Sequence, residues 1–157
     1  MQSLCTDSIF AERYRIIRSM ASGGMGSVYE VEHTETGRHL ALKVLLPGLI
    51  ENEASCERFR REARITANLE CPFLVQVLDA GVDLPTSMPF IVMELLRGED
   101  LSSRLHKHGA FSPATTLIYL HQVALALEFT HRAQIIHRDL KPENVFCTQL
   151  QDGSPLL

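Results

Sequence analysis

Apolar residues recur at two-residue intervals through much of the first hundred positions, and from residue 112 onward they recur at three and four. The first pattern predicts strands. Tyr14 to Met20 and Ser27 to His33 are short, partly alternating segments joined through Gly23, Gly24 and Gly26, which reads as a hairpin with a flexible tip. After a turn at Glu35-Thr36-Gly37 a third strand places Leu40, Leu42 and Val44 on one face and Ala41 and Lys43 on the other. Phe73 to Leu78 and Phe90 to Glu94 read as two further strands, separated by a Pro-containing turn from Leu84 to Pro89. Between strands three and four, from about Ala54 to Leu69, Phe59, Glu62, Ile65, Thr66 and Leu69 recur at helical spacing. Five strands and one helix make a first lobe.

Glu62 lies inside that apolar stripe. A carboxylate facing a core is costly unless a cation meets it, and Lys43 is the obvious candidate. Periodicity alone favours the simpler reading, a partly exposed Glu at the stripe's edge.

The second half is helical in texture. Ser112 is a good N-cap and Pro113 suits the first helical position. Leu117, Leu120, Ala124, Leu127 and His131 then form a stripe more than three turns long. Gln134 to Ile136 leads into the densest run of reactive residue types in the chain, His137-Arg138-Asp139-Leu140-Lys141-Pro142-Glu143-Asn144. The expected class is α+β, with two lobes.

Composition narrows the chemistry. The 157 residues carry 15 Lys+Arg against 19 Asp+Glu, a formal charge of -4, which argues against a nucleic-acid surface because phosphate binding needs clustered excess cations. No apolar run reaches the roughly 18 residues of a membrane span, and the opening residues lack a basic start followed by an apolar stretch, so a cytoplasmic setting is expected. Cys5, Cys56, Cys71 and Cys147 show no Cys-x-x-Cys pair, and reduced thiols are expected. His106, His108, His121 and His131 lack zinc-site spacing. Arg58, Arg60, Arg61 and Arg64, interspersed with Glu57 and Glu62, read as a solvated helix face.

Three features carry candidate chemistry. The turn Ala21-Ser22-Gly23-Gly24-Met25-Gly26 is, alone, most simply a hairpin tip, although backbone without side chains there can approach phosphate oxygens and offer N–H donors. Lys43, alone, is a surface lysine on the next strand. The loop from His137 to Asn144 is more specific, because a general base (Asp139), a cation (Lys141) and a metal ligand (Asn144) fit within one pocket.

The run HRDLKPEN resembles the catalytic loop of protein kinases, and its Lys-Pro-Glu filling is more similar to the serine/threonine class than to the tyrosine class. SGGMGSVYEVEH, LALKVL, RFRREARITANL and PFIVMELLRGEDL follow in the order and spacing of bacterial eukaryotic-like serine/threonine kinases. The resemblance runs from Tyr14 onward. It implies a kinase-like fold, with residues 1–13 as an N-terminal extension, 14–96 as the N-lobe and hinge, and 97–157 as the start of the C-lobe.

The resemblance also implies roles. ATP would lie against Met20 through Gly26, with Val28 and Ala41 lining the adenine pocket and Lys43 on the α- and β-phosphates. Glu62 would hold Lys43, which accounts for a carboxylate in an apolar stripe. Met93 would guard the back of the pocket, Glu94 and Leu96 would offer backbone hydrogen bonds to the base, and Asp100 would sit near the ribose. Asp139 would be the catalytic base, Lys141 would contact the γ-phosphate, and Asn144 would bind one Mg²⁺. Arg138 marks the subclass whose activation loop is held through a phosphate. The implied substrates are protein Ser or Thr hydroxyls, and the oligomeric state is left open.

Two departures shape the expectation. The first loop glycine of the family is Ala21 here, which should weaken ATP binding. The chain also stops at QDGSPLL, before the Asp-Phe-Gly segment whose Asp is the principal Mg²⁺ ligand, whereas a full kinase domain runs to roughly 250 residues. A truncated kinase domain is therefore expected, with little or no activity of its own and an exposed outer face on the long helix. The alternatives are a non-catalytic nucleotide-binding or interaction module, a fragment without a stable fold and, remotely, a phosphate-binding metabolic enzyme.

Overall fold

The computed structural model describes residues 4–23, 26–45, 47–50, 54, 56, 57, 59, 61, 67, 71–149 and 155–156. Two units divide the chain, Met1–Asn68 with Val75–Leu95, and Leu69–Leu74 with Leu96–Leu157.

Unit one is a six-stranded antiparallel sheet of β1 (Ile9–Phe10), β2 (Tyr14–Ser22), β3 (Gly26–His33), β4 (His39–Leu45), β5 (Val77–Val82) and β6 (Pro89–Glu94), in the order β1-β2-β3-β4-β6-β5. The sequence predicts five strands, and the sixth is β1. Ala11 and Glu12 both adopt positive φ (48° and 64°), reversing the chain so that Phe10 pairs with Tyr14. Residues before Tyr14 thereby supply Phe10 to the core, edge-on to Phe90 with ring centroids 5.5 Å apart. The strand expected from Phe73 to Leu78 instead begins at Val77 and runs to Val82. Cys71 to Leu74 form a turn closed by Leu74 N–H on the Cys71 carbonyl, and Pro72, with no N–H to give a ladder, sits within it.

The period of two in β4 sorts its neighbours. Leu40, Leu42 and Val44 join Tyr14, Ile16, Tyr29, Val31, Phe90 and Val92 in the main core. Leu45 packs on the other side with Ile91, Cys56 and Phe59. Cys56 and Phe59 lie on helix α2, described as helical at positions 54, 56, 57, 59, 61 and 67, which follows the short α1 (Pro47–Ile50). The remaining stripe positions, Glu62, Ile65, Thr66 and Leu69, and also Arg58, Arg60 and Arg64, lie outside the described residues.

Unit two contains β7 (Glu99–Asp100), α3 (Leu101–His108), α4 (Pro113–Arg132), a 3₁₀ turn (Pro142–Asn144), β8 (Phe146–Gln149) and β9 (Pro155–Leu156), with the strands in the order β7-β8-β9. Helix α4 starts as its sequence demands: Ser112 Oγ accepts from Thr115 N–H at 3.1 Å, with Pro113 in the first turn. Its stripe is a different matter. Leu117 and Leu120 are 68% and 60% exposed, and the buried positions are Tyr119, packed edge-on against Phe111, and Thr130. Periodicity finds the helix but not which side is covered, because both faces carry apolar residues. Helix α3 is absent from the sequence expectation, yet its signals are present in Asp100 capping Ser103 N–H and Gly109 (φ 76°) closing the end on Leu105.

Among the described residues no helix is long and apolar enough to cross a membrane, and all four cysteines are free thiols.

Candidate active site

In unit one, strand register gathers the expected nucleotide-facing residues. Val28 stands opposite Lys43 across β3 and β4, Ala41 opposite Met93 across β4 and β6, and Lys43 opposite Ile91. Directly opposed residues share a sheet face, so Val28, Ala41, Lys43 and Met93 form one surface. The Lys43 ammonium lies 5.8 Å from the centre of the Phe59 ring, within range of a cation–π contact. Phe59 is visible in the sequence as a stripe residue, but only the packing of α2 on β4 and β6 brings it to Lys43. The expected partner Glu62 lies outside the described residues.

The glycine turn divides by function. Gly23 N–H bonds to the Gly26 carbonyl at 2.9 Å, closing β2 onto β3, while Gly24 and Met25 lie outside the described residues. A Cβ on Gly23 would meet nothing within 4 Å, whereas one on Gly26 would overlap the Val44 carbonyl oxygen. Gly26 is therefore required by the close approach of β3 to β4, a role that needs no ligand. Ala21 pairs with Val28 beyond a register shift, and Met20 and Ser22 are exposed.

Glu94 ends β6 with its N–H on the Gln76 carbonyl at 3.0 Å and its carboxylate accepting from Gln76 N–H at 2.8 Å. Any contact of Glu94 backbone with a base thus runs through its carbonyl.

In unit two, Leu96 is half-buried, and Asp100 caps α3 with both carboxylate oxygens, accepting from Ser103 N–H at 2.8 Å and Ser103 Oγ at 2.6 Å. These bonds hold the Asp100 carboxyl below the usual carboxylate range. A ribose would have to be met by a group already doing this.

The loop after α4 brings together three of the residues singled out for chemistry. Lys141 Nζ and Asn144 Nδ2 both lie 2.9 Å from the same oxygen, Asp139 Oδ2, and Asn144 Nδ2 also donates to the Asp139 carbonyl at 2.7 Å. Pro142 opens the 3₁₀ turn that carries Asn144 back toward Asp139. Bonding to Lys141 and then to Asn144 keeps the Asp139 carboxyl below its ordinary value despite its exposure. Asp139 N–H donates to His137 Nδ1 at 3.3 Å, and Arg138 takes a left-handed conformation (φ 62°) that side chains usually avoid.

With the Lys141 ammonium and the Asn144 amide both on Oδ2, the second oxygen of Asp139 is the one left to take a proton. With its nitrogen turned to Asp139, Asn144 presents an amide oxygen, the donor type a hard cation takes. Among the described residues no group of three His, Cys, Asp or Glu side chains could hold a metal ion by itself.

Comparison with known proteins fits this arrangement. The protein kinase domain family matches residues 14–154. The chain is 40% identical over 151 residues to the serine/threonine-protein kinase pkn2 of Myxococcus xanthus, covering 96% of this chain and 18% of that one. It is 40% identical over 139 residues to the serine/threonine-protein kinase PknA of Mycobacterium tuberculosis, covering 87% of this chain and 32% of that one. The crystal structure of the Mycobacterium tuberculosis PknI kinase domain superposes with a TM-score of 0.79 at 31% identity, covering 94% of this chain and 60% of that one. The chain thus spans less than a third of the curated relatives it matches and under two thirds of a solved kinase domain. With Lys141 and Asn144 converging on one carboxylate and a family match over nearly all of its length, the chain belongs to the protein kinase family.

Proposed function

We propose that the protein is part of a serine/threonine protein kinase that transfers the γ-phosphoryl group of ATP to protein Ser or Thr hydroxyls. The observation that carries the reading is the convergence of Lys141 and Asn144 on Asp139 Oδ2. Protein kinases work with ATP and Mg²⁺, and the metal supplies charge neutralisation on the phosphates when bound.

The chain's own residues divide the remaining work. Val28, Ala41 and Met93 offer an apolar face to the adenine, the Glu94 carbonyl and the Leu96 backbone meet its polar edge, and the turn from Met20 to Gly26 covers the phosphates. Lys43 binds the α- and β-phosphates, with Glu62 the partner that the family resemblance implies for it, and Asp100 lies by the ribose. Asp139, kept ionised by Lys141 and Asn144, orients the incoming hydroxyl through its free oxygen. As the hydroxyl oxygen forms its bond to the γ-phosphorus and the bond to the bridging oxygen of ADP breaks, the hydroxyl proton passes to Asp139. Lys141 faces the charge on the moving phosphoryl group, and Asn144 would hold Mg²⁺ through its amide oxygen.

The test is calorimetric titration of the chain with ATP and Mg²⁺, followed by transfer of labelled phosphate to a generic protein. Saturable binding that weakens roughly tenfold or more in Lys43→Met supports the reading. Transfer abolished in Asp139→Asn would extend it to catalysis, binding without transfer would favour the non-catalytic module, and no binding at millimolar ATP would sink it.

A further inference from the structure

Unit two contains a close contact that none of the expected roles uses. Gly98 has φ 149°, a conformation side chains rarely adopt, and a Cβ there would overlap the carbonyl oxygen of Cys147 and lie 3.3 Å from the Phe146 ring. The two segments that meet here are fastened on both sides of the contact. Thr148 Oγ1 donates to the Arg97 carbonyl at 2.9 Å, Glu99 pairs with Cys147, Asp100 pairs with Phe146, and Leu101 N–H donates to the Val145 carbonyl at 2.8 Å.

The location gives the contact its consequence. The fastened stretch of β8 starts immediately after Asn144, whose own N–H bonds to the Lys141 carbonyl at 2.9 Å, and Val145 N–H bonds to Pro142. Residues 137–144 are all exposed, so burial does little to hold the loop. At the far end, Cys147 is 2% exposed. Because side-chain exposure leaves the loop without a packed support, the seam between residues 97–101 and 145–148 is its anchor on the C-terminal side.

We propose that Gly98 is a positioning residue: the missing side chain lets β8 seat against the segment leaving β6, and that seating holds Asn144 on Asp139. The catalytic meaning of this placement rests on the kinase reading above, but the placement itself does not. Any side chain at position 98 must push the Cys147 carbonyl away, and the nearest chain able to yield is the exposed loop three residues earlier.

The experiment compares the wild-type chain with Gly98→Ala by amide hydrogen exchange and by the NMR signals of the Asn144 side-chain amide, without nucleotide. Gly109→Ala is the control, since Gly109 also has positive φ (76°) but open space around a Cβ. In Gly98→Ala, exchange at Leu101, Asn144 and Val145 is expected to quicken by about tenfold or more while Val31 and Leu42 keep wild-type rates. The Asn144 amide signals should move toward those of a solvated asparagine, which a loss of stability elsewhere would not cause. A folded Gly98→Ala protein with wild-type exchange at these three amides and unmoved Asn144 signals overturns the proposal. Should Gly98→Ala fail to fold, Thr148→Val decides: quickened exchange at Asn144 and Val145 supports it, and unchanged rates there overturn it. Failure of the wild-type chain to bind ATP would count against the kinase reading and leave this result standing.

Discussion

The hydroxyl of Tyr14 donates to the Asp79 carboxylate, joining residues 65 positions apart at opposite ends of one sheet. Tyr14 begins β2, beside the edge strand β1, and Asp79 lies on β5, the other edge. Arg13 reaches the same carboxylate at 3.3 Å, and Asp83, buried after β5, accepts from Ala11 N–H at 3.0 Å. The sheet therefore curls until its edges are cross-linked by two carboxylates.

Tyr14→Phe should lower stability by about 1–2 kcal/mol, because Asp79 loses a partner in a half-buried place while packing against Phe90 is retained. Burial, then the bond to Asp79, push the Tyr14 phenol well above its ordinary value. A raised acid of this kind stabilises the fold below the unfolded pKa of about 10 and loses that contribution as pH rises through the folded value. Denaturant curves of the two proteins between pH 7 and 11 check both points, and a gap that stays the same size above pH 10 would contradict the assignment.

Gly26→Ala should be costly and Gly23→Ala nearly neutral, although both belong to the same glycine-rich turn. The new methyl at Gly26 meets the Val44 carbonyl, an overpacking worth about 1–3 kcal/mol, while the one at Gly23 meets open space and should stay within about 0.5 kcal/mol. Equal midpoints for the two variants in urea would show that the β3–β4 approach is looser than described.

Ala21→Gly should tighten ATP binding, since the substitution removes a methyl at the start of the turn expected to cover the phosphates. The pairing of Ala21 with Val28 lies at an irregular stretch of β2, where backbone freedom costs least. Identical dissociation constants for the two proteins would remove Ala21 from any account of affinity.

Lys141→Ala should raise the titration midpoint of Asp139, and Asn144→Ala should raise it less. Lys141 is the larger cause of the depression, with Asn144 second. A depressed carboxylate favours the fold above its unfolded pKa of about 3.9 and loses this as pH falls through the folded value, so both variants flatten that acid limb. Carboxyl ¹³C shifts followed from pH 2 to 6 read the midpoint directly. An unchanged midpoint in Lys141→Ala would place the ammonium elsewhere in solution.

Much of the architecture is legible in the sequence. Alternation in β4 assigned Leu40, Leu42 and Val44 to one face and Lys43 to the other because the period of a strand is a covalent property. Ser112-Pro113 located the start of α4 for an equally local reason. Strand β1 is not legible in the sequence, since it is two residues long and rests on positive φ at Ala11 and Glu12, which no glycine announces. Helix α3 is not legible from apolar spacing although Asp100, Ser103 and Gly109 mark its ends, because its eight residues hold only two apolar ones, Leu101 and Leu105, one turn apart.

The order of residue types along the chain, and with it the loop from His137 to Asn144 and its kinase resemblance, follows from the sequence alone, as do the strand faces and helix caps, because each depends on neighbours a few positions apart. Tertiary structure alone decided that Asp139 Oδ2 takes both Lys141 and Asn144, that Asp100 spends its carboxylate on a cap, that Gly26 answers to Val44 and Gly98 to Cys147, and that Tyr14 meets Asp79. Those pairings depend on where the turns aim the side chains and how closely two backbones approach, and linear spacing carries neither quantity.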